Sequence, residues 1–181
     1  MPLKDSYVKK LVYASLFAAL TAVAAWVTIP LPYVPLTLQT FFVILAGAML
    51  GAYFGALSMI VYLLLGFVGL PVFSGGRSGL GVLAGSTGGY LIGFVICAIV
   101  VGSLVERKKH PGFLWYCMSM AAGTLALYAC GAAWLAVIMR WDIMHALIIG
   151  ALPFVPGDII KIVVAALIAK RVNKGKPEGS R

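Results

Sequence analysis

Between Lys10 and Arg77 the chain carries no Asp, Glu, Lys or Arg, and the same holds from Arg77 to Glu106 and from Lys109 to Arg140. Each interval exceeds the roughly 20 apolar residues with which a helix crosses a hydrocarbon core. Inside a bilayer every backbone N–H and C=O must be satisfied without water, so such intervals point to transmembrane helices. Only 10% of the 181 residues are charged and 62% are hydrophobic, too little charge to cover a soluble domain of this size. The expectation is an all-α integral membrane protein of the cell membrane, multi-pass, in contact with lipid along its length.

Punctuation sets the spans. Helix 1 is expected over about 8–29, stopped by the prolines of "PLPYVP". The charge-free stretch from Leu38 to Leu70 is too long for one crossing and suits two, divided near "GAYFGA", where Gly51 and Gly55 permit a sharp turn. Helices 2 and 3 then cover about 39–50 and 54–70. The glycines of "GLPVFSGGRSGLGVLAGSTGGY" resist regular helix and predict a long structured loop. Helices 4, 5 and 6 follow at about 88–105, 113–139 and 150–171, within a single transmembrane domain over 1–181. The basic, then apolar, N-terminus is read as a retained first helix rather than a cleaved leader.

Six crossings place both termini on one side. That side collects Lys4, Lys9, Lys10, Arg107, Lys108, Lys109, Lys170, Arg171, Lys174, Lys176 and Arg181, against Arg77 and Arg140 on the other. By the positive-inside bias both termini are expected to be cytoplasmic. The net charge of +9 is therefore topological. No aromatic-interleaved basic face suggests nucleic acid. Cys97, Cys117 and Cys130 stand alone in apolar segments, without metal or disulfide spacing.

Against this background "PFVPGDIIK" is anomalous, because Asp158 and Lys161 lie inside a span. A charged side chain at mid-membrane costs about 2.5–3.5 kcal/mol on insertion scales. At i, i+3 spacing the two share a helix face and can pair. They either staple helix 6 to its neighbours or hold a polar ligand in a pocket at the outer level. Pro153, Pro156 and Gly157 interrupt the helix entry, as irregular backbone beside a cavity does. Thr37, Gln39 and Thr40 in "VPLTLQT" fall at the same level, as do Arg77, Thr87 and Tyr90. Candidate substrate-binding residues are thus Asp158, Lys161, Gln39, Thr37, Tyr90, Arg77 and Thr87.

No arrangement of Ser, Cys or His suggests a nucleophile, and "GSTGG" lacks the lysine of a phosphate-binding loop. The chain does not read as an enzyme, and no cofactor or metal is called for. Two small-residue stripes, Ala14/Ala18/Ala22 and Gly47/Gly51/Gly55, would let helices approach closely. The glycines suit contact within the chain; the alanines suit either that or an external partner helix.

Four segments in order, "VPLTLQT" (34–40), "GFVGLPVFSGG" (66–76), "GSTGGYLIGF" (85–94) and "PFVPGDIIK" (153–161), resemble the BioY family, biotin-binding S components of energy-coupling factor (ECF) vitamin transporters. The resemblance implies a six-helix S-component fold and high-affinity capture of biotin from outside. It also implies coupling to a membrane T component and two ABC ATPase subunits that supply ATP hydrolysis. In it, Asp158 and Lys161 match the acidic and basic pair of the pocket, and Ala14/Ala18/Ala22 match the AxxxA docking surface. Ser86 departs from the proline common there. Asp158 suits a ureido N–H of biotin. Lys161 suits either the ureido oxygen or the carboxylate, the latter leaving Gln39 to read the ring. A stand-alone proton- or ion-coupled carrier would also use an intramembrane Asp/Lys pair, but with broken helices in both halves.

Overall fold

The computed structural model describes residues 2–174; Lys176 and Arg181 of the basic count lie outside the described residues, as do the side chains of Lys4 and Lys174. The first helix, α1, runs Pro2–Ala24. It stops short of the expected end near Ile29 because the chain tightens through i→i−3 bonds at Ala25, Trp26 and Val27. It then extends: Thr28–Ile29 (β1) pairs antiparallel with Leu36–Thr37 (β2), Thr28 opposite Thr37, and the prolines turn between them. This ribbon delivers Thr37 and Gln39 to one end of the bundle.

Helix α2, Gln39–Phe67, is folded in two. Gly51 sits at φ 82°, ψ −178°, a backbone region open essentially to glycine alone. Residues 39 and 62 would lie about 35 Å apart along a straight helix, yet the Gln39 side chain hydrogen-bonds the Tyr62 hydroxyl. A Cβ on Gly55 would come within 3.0 Å of Gly47 Cα, so the two arms run antiparallel in close contact. The glycine stripe is therefore consumed inside the chain. Glu106 Oε1 accepts the Ala52 N–H (3.3 Å) at the start of the second arm, satisfying a donor that the break leaves open.

Residues 68–87 carry a short helix, α3 (Leu80–Leu83), and a bridge between Phe73 and Arg77. Phe73 is wholly buried, its ring filling a slot that exists only because Gly66 has no side chain. Helices α4 (Gly88–Glu106) and α5 (Phe113–Met139) match the expected spans, and α4 is the most enclosed. The last crossing differs from expectation. A separate helix α6 (Ile143–Gly150), capped by Asp142 Oδ2 on the Met144 N–H, precedes a 3-10 turn at Leu152–Phe154 and helix α7 (Val155–Lys174). Pro153 has no N–H to continue the α6 ladder, so the crossing is made of two pieces.

Among the described residues five helical stretches have the length and apolarity to cross a membrane, and because the one at Gln39–Phe67 is folded back, their crossings number six. The start of α1, the Gly51 turn, Glu106 and the end of α7 share one end of the bundle, as Lys10 over the Phe54 ring and Asn173 on the Tyr116 hydroxyl show. The ribbon, residues 68–87 and residues 140–154 share the other. Apolar side chains such as Val12, Val23, Leu125, Val137 and Ile160 cover the outside, the composition of a lipid-facing surface.

Candidate functional site

At the ribbon end a cleft opens between β2, α2, residues 73–87, α4, α5 and α7. It leaves about 60 Å³ for the centres of water-sized bodies, several times the ~10–15 Å³ one water requires. Asp158, Lys161, Gln39, Thr37, Tyr90, Arg77 and Thr87, the seven residues singled out in the sequence, all line it.

Its floor is a connected polar network. Asp158 is 4% exposed. Its Oδ1 accepts from Lys161 Nζ (2.8 Å) and Thr40 Oγ1 (3.0 Å), and its Oδ2 accepts from the Tyr128 hydroxyl (2.5 Å). Lys161 Nζ also donates to the Thr37 carbonyl (2.7 Å) and Thr40 Oγ1 (2.8 Å). Thr37 Oγ1 donates to Gln39 Oε1 (3.1 Å), Gln39 Nε2 donates to Tyr62, and the Tyr62 hydroxyl donates to the Val72 carbonyl (3.1 Å). A buried ion pair rarely offsets its own desolvation unless further hydrogen bonds satisfy the remaining lone pairs and protons. Here they do: among the described residues no buried side-chain nitrogen or oxygen lacks a partner.

The walls are apolar and aromatic, with Phe73, Phe94, Leu91, Leu127 and Phe154. Two expected contributors turn their polar atoms elsewhere. The Tyr90 hydroxyl donates to the Gly150 carbonyl (2.8 Å), and Thr87 Oγ1 to the Val82 carbonyl (3.4 Å), so each presents mainly its body to the cleft. Arg77 stands exposed at the rim, its Nε on the Ser74 carbonyl (3.1 Å). Tyr128 and Tyr62 were not foreseen. The one signal for them is a phenol deep in a charge-free span, where its hydroxyl must find a partner.

The alanine stripe lies mostly on the inward side of α1. Ala14 and Ala18 are 2% and 1% exposed, and Ala22 is half-buried, because α1 packs on α2 through this face. Among the described side chains of α1, the small ones turned outward are Ser15 and Ala19.

Six crossings enclosing an apolar-walled cleft with an ion pair on its floor make the arrangement of a membrane substrate-binding protein. The chain belongs to the BioY family, whose model matches residues 1–178. It is 48% identical to the biotin transporter BioY of Thermotoga maritima over 166 residues, 92% of this chain and 96% of that one. It is 39% identical to the biotin transporter BioY of Rhizobium etli over 179 residues, covering 93% and 95%. A crystal structure of the S-component for biotin from an ECF-type ABC transporter superposes with a TM-score of 0.86 at 28% identity, over 95% of this chain and 94% of that one.

Proposed function

We propose that this chain is the biotin-binding S component of an ECF-type importer, taking biotin from outside at the ribbon end. It would pass biotin inward when coupled to a T component and two ABC ATPase subunits. The family and the relatives' names support the substrate class. The single observation that carries the reading is the buried Asp158 carboxylate at the base of an apolar-walled cleft. Its Oδ2 has one protein partner and lone-pair capacity for a second donor. Biotin's ureido ring brings N–H donors and its thioether ring suits apolar walls. A site built to satisfy such donors rejects analogues lacking them by large factors, because its own buried groups are then left unpaired.

The test is isothermal titration of detergent-purified protein, stripped of carried-through ligand, with biotin, thiamine and riboflavin. Tight binding of biotin alone, weakened at least tenfold by Asp158→Asn, is expected. Full affinity in Asp158→Asn would take the carboxylate out of the site, and failure of folded wild-type protein to bind biotin would end the reading.

A further inference from the structure

The last helix shows two different faces. Ala165, Ala166 and Ala169 are fully buried, and their small side chains let α7 lie close against the bundle. On the same face Asn173 donates to the Tyr116 hydroxyl of α5 and ties down the final turns. Val164, Leu167 and Ile168 point away from the bundle, and with Lys170 and Arg171 they line an open groove along α7. Residues 164, 167, 168 and 171 recur at i, i+3, i+4 and i+7, so they form one stripe about 10 Å long.

The cations at the head of the stripe are uncompensated. Among the described residues Glu106 accepts the Ala52 N–H, Asp142 caps α6 at the ribbon end, and Asp158 pairs with Lys161. None of these carboxylates pairs with Lys170 or Arg171. Long apolar stems let both charged heads reach outward while the stems continue the groove. Their depth is marked at the same end of the bundle by Lys108, whose Nζ stands 4.0 Å from the centre of the Trp115 ring. Indoles and basic side chains gather at the headgroup level of a bilayer.

An apolar stripe rising to two free cations complements a molecule with an acyl chain and an anionic head. A zwitterionic head brings its own cation beside the phosphate and gains less. A second copy of this chain fits the stripe poorly, since the described carboxylate at this end, Glu106, is committed to the Gly51 turn.

We propose that α7 carries a site for an anionic diacyl phospholipid, its phosphate on Lys170 and Arg171 and an acyl chain along Val164, Leu167 and Ile168. Arg171 supplies a fork of N–H groups that phosphate oxygens accept, and Lys170 supplies a point charge. The site lies at the opposite end of the bundle from the cleft and does not depend on what the cleft binds. Because α7 also carries Asp158 and Lys161, the lipid steadies the helix that forms the cleft floor.

The test uses the full chain, delipidated in a non-ionic detergent. It is titrated with dioleoylphosphatidylglycerol, dioleoylphosphatidylcholine or inorganic phosphate, with native mass spectrometry counting bound lipid and thermal melts run in parallel. Two charge-matched double variants are compared, Lys170→Gln/Arg171→Gln and Arg107→Gln/Lys108→Gln, the second at the α4–α5 turn of the same end. Wild type is expected to bind one phosphatidylglycerol about tenfold more tightly than phosphatidylcholine, with a matching rise in melting temperature. Inorganic phosphate is expected to leave the melt unchanged. The Lys170/Arg171 variant is expected to lose the preference, and the Arg107/Lys108 variant to keep it within about twofold. All four side chains lie at the surface, so a wild-type-like melt without lipid is expected of both variants.

Equal losses in the two variants would overturn the site in favour of diffuse attraction to a basic surface. Inorganic phosphate reproducing the thermal shift would reduce it to an anion contact without lipid. A lipid-free dimer that Leu167→Asp breaks, with no preference between the lipids, would give the groove to a second copy.

Discussion

Tyr128 on α5 donates its hydroxyl to Asp158 Oδ2 on α7 at 2.5 Å, and among the described residues no other side chain hydrogen-bonds that oxygen. Tyr128 thereby sets the direction of the carboxylate from the side opposite Lys161 and Thr40. Replacing it with Phe keeps the ring and removes one charge-assisted bond, worth about 1.5–3 kcal/mol. Tyr128→Phe is expected to lower the melting temperature in detergent by several degrees and to weaken biotin binding several-fold. Thermal melts with and without ligand, paired with titration, check both effects.

The ion pair is more fragile when half removed than when removed whole. Lys161→Met leaves Asp158 buried beside an apolar chain, and breaking a buried pair from one side costs about 3–5 kcal/mol. Asp158→Asn added to Lys161→Met removes the stranded charge. The double variant is therefore expected to be more stable than Lys161→Met alone, a coupling of the kind double-mutant cycles read out. Equal or greater loss in the double variant would show that the pair contributes to stability independently at each residue.

The sequence made Asp158, Lys161 and Gln39 conspicuous for one reason: polar groups in a span are costly and need partners, so their presence alone is informative. The Gly51 hairpin was legible by arithmetic, since the charge-free stretch was too long for one crossing. Tyr128 and Tyr62 were not, because a tyrosine is compatible with an apolar helix and its partner lies on a different helix. The alanine stripe left an internal and an external neighbour open for a related reason. Four-residue spacing of small side chains serves an internal and an external neighbour equally, and only the packing of α1 on α2 separates them. The prolines marked the interrupted entry to the last span, but the separate helix α6 was not foreseen, because Ile143–Gly150 is apolar apart from His145 and too short to stand out as an element of its own.

The hairpin makes a direct stability prediction. Gly51→Ala places a Cβ against the Glu106 carboxylate in a conformation that side chains avoid, at about 1–3 kcal/mol for the backbone alone. Gly69, at φ 108°, has nothing within 4 Å of where a Cβ would stand. Gly51→Ala is thus expected to lower the melting temperature more than Gly69→Ala does. Adding Glu106→Ala to Gly51→Ala should recover the steric part, leaving the backbone part in place.

The reorientation of α1's small residues changes where a partner helix is to be sought. Ala18 is buried against the rest of the chain, whereas Ala19, one position on, faces outward beside Ser15. Close helix approach in a membrane depends on small side chains at the contact, since lipid supplies no hydrophobic drive. Ala19→Trp is therefore expected to leave folding and biotin affinity within twofold of wild type. It should abolish co-purification with a T component and ATP-dependent uptake. Ala18→Trp overfills a packed interior and is expected to reduce the yield of folded protein before any coupling step is reached. Expressing each variant with and without the T component and ATPases, and measuring biotin binding and uptake on the same membranes, separates the two effects. Uptake surviving in Ala19→Trp would place the docking surface on a face of the bundle other than the outward side of α1.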